Sequence, residues 1–94
     1  MKSYVIVNAN VVNPEKLAQY GAQAAPTVAK YQGKFIAKGE SQSLHGDQAF
    51  ASKAIIEFPS QQHAVDWYNS EEYQALIPLR SQALDCEFHL ASGI

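Results

Sequence analysis

The run from Ser3 to Val12 constrains this chain more than any other stretch. It is rich in β-branched residues and too short for a good helix. In an extended strand Val5, Val7, Ala9 and Val11 fall on one side, and Tyr4, Ile6, Asn8 and Asn10 on the other. The first set is uniformly apolar and small enough to lie under helices. The second mixes apolar and polar side chains. A fold that accepts this strand needs a sheet with one face covered and another face of divided character.

The segments that follow supply the cover. Asn13-Pro14-Glu15 is a strong helix start: Asn suits the N-cap, Pro the first helical position, and Glu the positive end of the helix. Leu17, Tyr20, Ala24, Val28 and Tyr31 recur at helical spacing and form one apolar stripe. Pro26 lies inside that stripe and is expected to kink or split the helix, and Gly33 ends the segment. Lys34 to Lys38 reads as a second strand, with Phe35/Ala37 and Ile36/Lys38 equally plausible as its inward face. A turn-rich connection, Gly39 to Gln48, leads to a third strand, Lys53 to Phe58. Ala54, Ile56 and Phe58 lie on one face of that strand, and Lys53, Ile55 and Glu57 on the other.

Ser60 is the expected N-cap of a second helical region, in which Ala64, Trp67 and Tyr68 are spaced to face the sheet. Asn69-Ser70-Glu71-Glu72 reads as a second cap with acidic first-turn residues, so the helix should break near Ser70 and restart. Tyr73, Leu76, Ile77 and Arg80 continue a face, and Pro78 should disturb it again. Asp85 to Ala91 is the last strand, with Cys86, Phe88 and Leu90 apolar and Glu87 and His89 opposite.

The order is β-α-β-β-α-β, the ferredoxin-like pattern of an α+β domain. Two helices should cover one face of a four-stranded antiparallel sheet whose central strands are the first and third. The other face is left carrying Tyr4, Ile6, Asn8, Ile55, Glu57 and His89. A half-apolar exposed sheet face is an interaction or ligand surface. Packing it against a second copy would bury the apolar members and enclose the polar ones. Size points the same way: 94 residues form one domain, residues 1–94, whose core is thin for its surface.

Charge and composition exclude several classes of partner. The formal net charge is −2, and the basic residues Lys2, Lys16, Lys30, Lys34, Lys38, Lys53 and Arg80 are scattered, which argues against nucleic acid. Lys30, Lys34 and Lys38 come closest to a cluster and read as a solvated surface. The single cysteine, Cys86, allows no internal disulfide and reads as a small buried hydrophobe. No stretch at the start reads as a signal peptide, and no apolar run approaches the roughly 20 residues that span a bilayer. The expectation is a soluble, cytoplasmic protein with no membrane partner. His45, His63 and His89 lack metal-ligand spacing, and Gly33, Gly39 and Gly46 are too dispersed for a phosphate-binding loop, so neither metal nor cofactor is expected.

Tyr31-Gln32-Gly33-Lys34-Phe35, Lys38-Gly39, and above all the segment Ile56-Glu57-Phe58-Pro59-Ser60 through Ala64, Trp67-Tyr68, Ser70, Glu72-Tyr73-Gln74 and Leu79-Arg80 resemble the family called domain of unknown function 1330. The resemblance covers essentially the whole chain. One departure is Gln32, which stands where the family pattern has the first glycine of Gly-Gly-Lys/Arg and should affect loop geometry. The resemblance implies membership of the dimeric α/β-barrel superfamily, in which two sheets face each other across a dimer. That superfamily includes small cofactorless monooxygenases, muconolactone-isomerase-like enzymes and stress-responsive proteins. It implies no particular reaction, because fold alone does not.

Two sets of residues are candidates for chemistry. Glu57, Asn8 and His89, with Tyr4 beside them, share the bare sheet face. There a carboxylate shielded from water would titrate nearer neutrality, His89 could share the proton work, and Asn8 could hold a carbonyl or enolate oxygen. The plainer alternative is that Glu57 satisfies a polar partner across the dimer and that His89 is exposed. Trp67, Tyr68, Tyr73 and Arg80 form the second set, in which aromatic rings beside an arginine suit a planar carboxylate-bearing ligand. Here the plainer alternative makes Trp67 and Tyr73 core and pairs Arg80 with Glu57, Glu71 or Glu72. The functional expectation is a homodimer that binds a small organic molecule in a barrel cavity, within which Glu57 or His89 acts as base in a cofactorless proton-transfer enzyme. The alternative is a non-catalytic binding or stress-associated module.

Overall fold

A computed structural model describes all 94 residues. The elements run β1 (Ser3–Val11), α1 (Pro14–Lys30), β2 (Lys34–Glu40), β3 (Ser52–Phe58), α2 (Gln61–Asn69), α3 (Glu71–Gln74), α4 (Ile77–Ala83) and β4 (Leu84–Ser92). The four strands form one antiparallel sheet in the order β2-β3-β1-β4, and the helices lie on one face of it. This is the ferredoxin-like arrangement, with β1 and β3 central.

The faces follow the side-chain alternation. Val5, Val7 and Ala9 of β1 are buried beside Ile56 and Phe58 of β3, and the helices close over them with Ala24, Val28, Trp67 and Tyr73. Trp67 and Phe58 are almost wholly withdrawn from water, their ring centroids 5.4 Å apart. Burial of a phenylalanine-sized side chain is worth about 1.5–3 kcal/mol, so this pair anchors the core. On the other face Ile6 stands between Ile55 of β3 and His89 of β4, and Tyr4 between Glu57 and Ala91. No element of the chain covers that face.

Local capping sets the helix boundaries. Asn13 accepts a hydrogen bond from the Lys16 amide, and Ser60 one from the His63 amide. Ser70 ends α2 and caps α3 by accepting from the Tyr73 amide, which is the break and restart its neighbours indicate. Pro26 does not split α1, which continues to Lys30. The turn around it is held from outside: Trp67 Nε1 donates to Thr27 Oγ1 at 3.0 Å, Thr27 donates to the Ala24 carbonyl, and Val28 packs in the core. Pro78 follows a second break, as its lack of an N–H leads one to expect: α3 ends at Gln74 and a new helix starts at Ile77. The proline occupies the first turn of α4, where a missing N–H costs no helical bond.

Beyond α1 the chain turns through Gln32 at φ 65°, a left-handed conformation that glycine adopts most easily. Gly33 donates back to the Val28 carbonyl and leaves no room for a side chain: a Cβ there would lie 2.6 Å from Phe58 Cε1. Along β2 neither regular alternation holds. A bulge between Phe35 and Ala37 shifts the register, so Phe35 pairs with Ile56 and Lys38 with Ala54, both on the helix side. Each half of the strand obeys a different parity. The connection from β2 to β3 is closed at its neck by Ser41 donating to the Ala51 carbonyl, and by Asn10. The Asn10 side chain donates to the Ala49 carbonyl and accepts from the Ala51 amide, both at 2.9 Å.

Candidate functional site

Three short helical segments bring one charge and several rings together. Trp67 and Tyr68 come from the last turn of α2, Tyr73 from α3 and Arg80 from α4, while Phe88 rises from β4 beneath them. The break at Ser70 turns Tyr73 into the core, where its ring lies 4.3 Å from that of Trp67. The Arg80 guanidinium carbon sits 4.7 Å from the centre of the Phe88 ring, 5.7 Å from Tyr68 and 5.9 Å from Tyr73, within cation–π range of all three.

Arg80 has no carboxylate partner. Glu57 pairs with Lys2 and Lys34, Glu72 with Lys30, and no ion pair reaches Arg80. Its Nη1 donates to the Tyr68 and Tyr73 hydroxyls, each at 3.1 Å, and the Tyr73 hydroxyl meets that of Tyr20 at 2.6 Å. Burial works against the guanidinium's charge, but its hydrogen bonds to Tyr73 and Tyr68 outweigh this and hold it protonated. Burial also pushes the Tyr20 and Tyr73 hydroxyls up, so both stay neutral donors and acceptors. The remaining donors, Nε and Nη2, bond to no protein atom and are not sealed from solvent. Arg80 lines a cavity of about 480 Å3 together with Val5, Val65, Tyr68, Cys86, Phe88 and Leu90 among others. A planar cation with free donors, in a mostly apolar recess, can hold a carboxylate whose body packs on aromatic rings.

The bare-face set has a different geometry. Glu57 is only 13% exposed and is surrounded by donors: Lys34 Nζ at 3.3 Å, Lys2 Nζ at 3.4 Å and the Tyr4 hydroxyl at 3.4 Å. Burial raises its pKa, but the hydrogen bonds from Lys34 and Lys2 and their charges win, holding the carboxyl below its ordinary range. A proton acceptor working near neutrality needs the opposite shift. His89 is exposed and touches Glu87 at 3.3 Å, and Asn8 lies between Lys53 and Glu87. Glu57, Asn8 and His89 therefore share a face, but no hydrogen bond joins them to one another and the Ile6 position separates them. Arg80 lies on the opposite side of the sheet.

Two participants escape sequence reasoning. Phe88, the ring nearest Arg80, reads as an ordinary inward residue of β4. Tyr20 reads as one member of an apolar stripe, although a tyrosine in such a stripe signals that its hydroxyl needs a buried partner.

The family model described as domain of unknown function DUF1330 matches residues 2–94. No curated protein matches the chain. Among solved structures, RPA0582, a protein of unknown function from Rhodopseudomonas palustris, superposes with a TM-score of 0.79 at 20% identity, over 99% of this chain and 82% of that one. A dimeric ferredoxin-like protein of unknown function from Jannaschia sp. CCS1 gives 0.76 at 8% identity, over 99% and 100%. SnoaB, a cofactor-independent oxygenase from Streptomyces nogalater, gives 0.72 at 12% identity, over 99% and 93%. At these identities the likeness is one of fold.

Proposed function

We propose, since this chain belongs to the DUF1330 family, that it is a homodimeric binding protein for a small organic acid with a flat apolar body, held at Arg80. The observation that carries this reading is a half-buried guanidinium with no carboxylate partner, ringed by Tyr68, Tyr73 and Phe88 at the wall of a cavity. Two of its donors have no protein partner, so a carboxylate arriving there finds a ready planar fork for a charge-assisted pair. The uncovered sheet face bearing Tyr4, Ile6 and Ile55 supports the dimer, as does the dimeric state named for the Jannaschia protein. Binding ranks ahead of proton transfer at Glu57 and His89, because Glu57 is held ionised and nothing in the protomer couples the two.

Titration calorimetry with benzoate, salicylate and cyclohexanecarboxylate tests the reading. Arg80→Met should weaken binding of the best of these tenfold or more, and Arg80→Lys should restore part of it. Equal affinity in wild type and Arg80→Met refutes the site. A stable monomer in sedimentation velocity at micromolar concentration refutes the dimer.

A further inference from the structure

A second chamber lies on the same side of the sheet, beneath α1. Its volume is about 540 Å3, and sixteen of its twenty-one lining residues are hydrophobic. Its origin is visible in the sequence of its walls. The sheet contributes Ala9 and Ala54, and α1 contributes Gly21, Ala24 and Ala25, so small side chains face small side chains. The hollow opens to solvent past Ala22, Ala25 and Phe35, so it leaves apolar wall in water that larger side chains would bury.

Gly21 sharpens the point. It stands mid-helix, where glycine is destabilising relative to alanine, and packing does not require it, since a Cβ placed there meets nothing within 4 Å. The chain keeps this wall thin although no group of its own approaches it.

The chamber has one electrostatic sign. Lys38 is the charged side chain on this side of the sheet that lines it, and it is in no ion pair; Lys53 borders the opening from a strand position whose side chain belongs to the other face. Lys38 reaches the rim because of the β2 bulge, which puts it on the same side as Phe35, its Nζ lying 5.3 Å from that ring. Inside, the one phenol offers its ring alone, because the Tyr20 hydroxyl is taken by Tyr73.

We infer that this chamber is a ligand site separate from the Arg80 pocket. Its ligand is a monoanionic amphiphile of the fatty-acid type, with its hydrocarbon chain against Gly21 and Ala24 and its carboxylate at Lys38. Phe88 lines both spaces while Trp67 lines this one alone and Arg80 only the other, so the two share a wall but not a charged group.

Calorimetry with decanoate, decanol and benzoate on the full-length protein tests this. Decanoate should bind the wild type, and Gly21→Leu, which fills the chamber, should weaken it tenfold or more while leaving benzoate at Arg80 unchanged. Lys38→Gln should weaken decanoate several-fold and leave decanol unaffected. If Gly21→Leu does not fold, nuclear Overhauser contacts from decanoate protons to the Ala24 and Val28 methyls of the wild type decide the matter. The inference is overturned if decanoate fails to bind at millimolar concentration. It is overturned equally if decanoate binding survives Gly21→Leu unchanged or shows no contact with those methyls, or if Arg80→Met rather than Lys38→Gln weakens it. None of these outcomes bears on benzoate at Arg80, so the two readings fail separately.

Discussion

Replacing Tyr73 by phenylalanine removes one oxygen, strands one hydroxyl and weakens one cation's hydrogen bonding. The Tyr20 hydroxyl, in a residue 9% exposed, has Tyr73 as its only hydrogen-bond partner, and Arg80 Nη1 loses one of its two acceptors. A buried hydroxyl left unpaired costs about 1–3 kcal/mol. The charged hydrogen bond from Arg80 adds less than its full worth, because that guanidinium keeps Tyr68 and reaches solvent; about 0.5 kcal/mol is a reasonable share. The expected loss is about 1.5–3.5 kcal/mol, a fall in Tm of about 6–28 °C for a domain of this size. Tyr20→Phe should cost only about 1 kcal/mol, since Tyr73 still receives a hydrogen bond from Arg80. The double variant should then cost less than the sum of the two, with a coupling of about 1 kcal/mol or more. Urea unfolding of all four proteins at one protomer concentration measures this, provided the m-values agree. Additive effects, or a Tyr73→Phe cost below about 0.5 kcal/mol, would show that the two hydroxyls are not coupled through a dry core.

Gln32→Gly should stabilise: relief of the left-handed backbone is worth about 1–2 kcal/mol and the extra freedom of the unfolded chain removes about 0.4–1, leaving a gain of about 0.5 kcal/mol or slightly more, read as a Tm rise of a few degrees. Gly33→Ala next to it should destabilise by about 1–3 kcal/mol in the same assay, because its Cβ would press on buried Phe58 and Val28. Glu72 has a pKa lowered to about 2, first by its hydrogen bond from Lys30. Its stabilising contribution is thus complete above the ordinary carboxylate range near 4.5 and is lost as pH falls through about 2. In an NMR titration Lys30→Met should move that midpoint up, and an unmoved midpoint would contradict the pairing. Burial pushes the Cys86 thiol up, so it should react slowly with Ellman's reagent at pH 7, and an occupied Arg80 pocket should slow it further.

Much of the fold is legible because the determinants are local. Asn13, Ser60 and Ser70 cap the helices they adjoin, and period-two alternation assigns the faces of β1, β3 and β4. Legibility fails where a decision is made at a distance. The parity of β2 depends on a bulge that only pairing with β3 reveals. Pro26 is tolerated because Trp67, forty residues away, braces Thr27. Arg80 had three glutamates within plausible reach, and two of them are held elsewhere, Glu57 by Lys2 and Lys34 and Glu72 by Lys30. The chamber beneath α1 is harder still to foresee, since it is a space between small residues that sequence periodicity counts simply as apolar.

The neck formed by Asn10, Ser41 and Ala51 has a consequence for how this chain can change. Because the strand ends are tied there, residues 42–50 hang outside the sheet as an appendage, with Leu44 almost wholly in water. The cost of bringing the ends together falls on the knot rather than on the excursion, and doubling the length of such an excursion adds only about 0.6 kcal/mol. Asn10 therefore fixes a place in this small domain where a tag, an epitope or a whole inserted module could be grown from position 44 without disturbing the sheet.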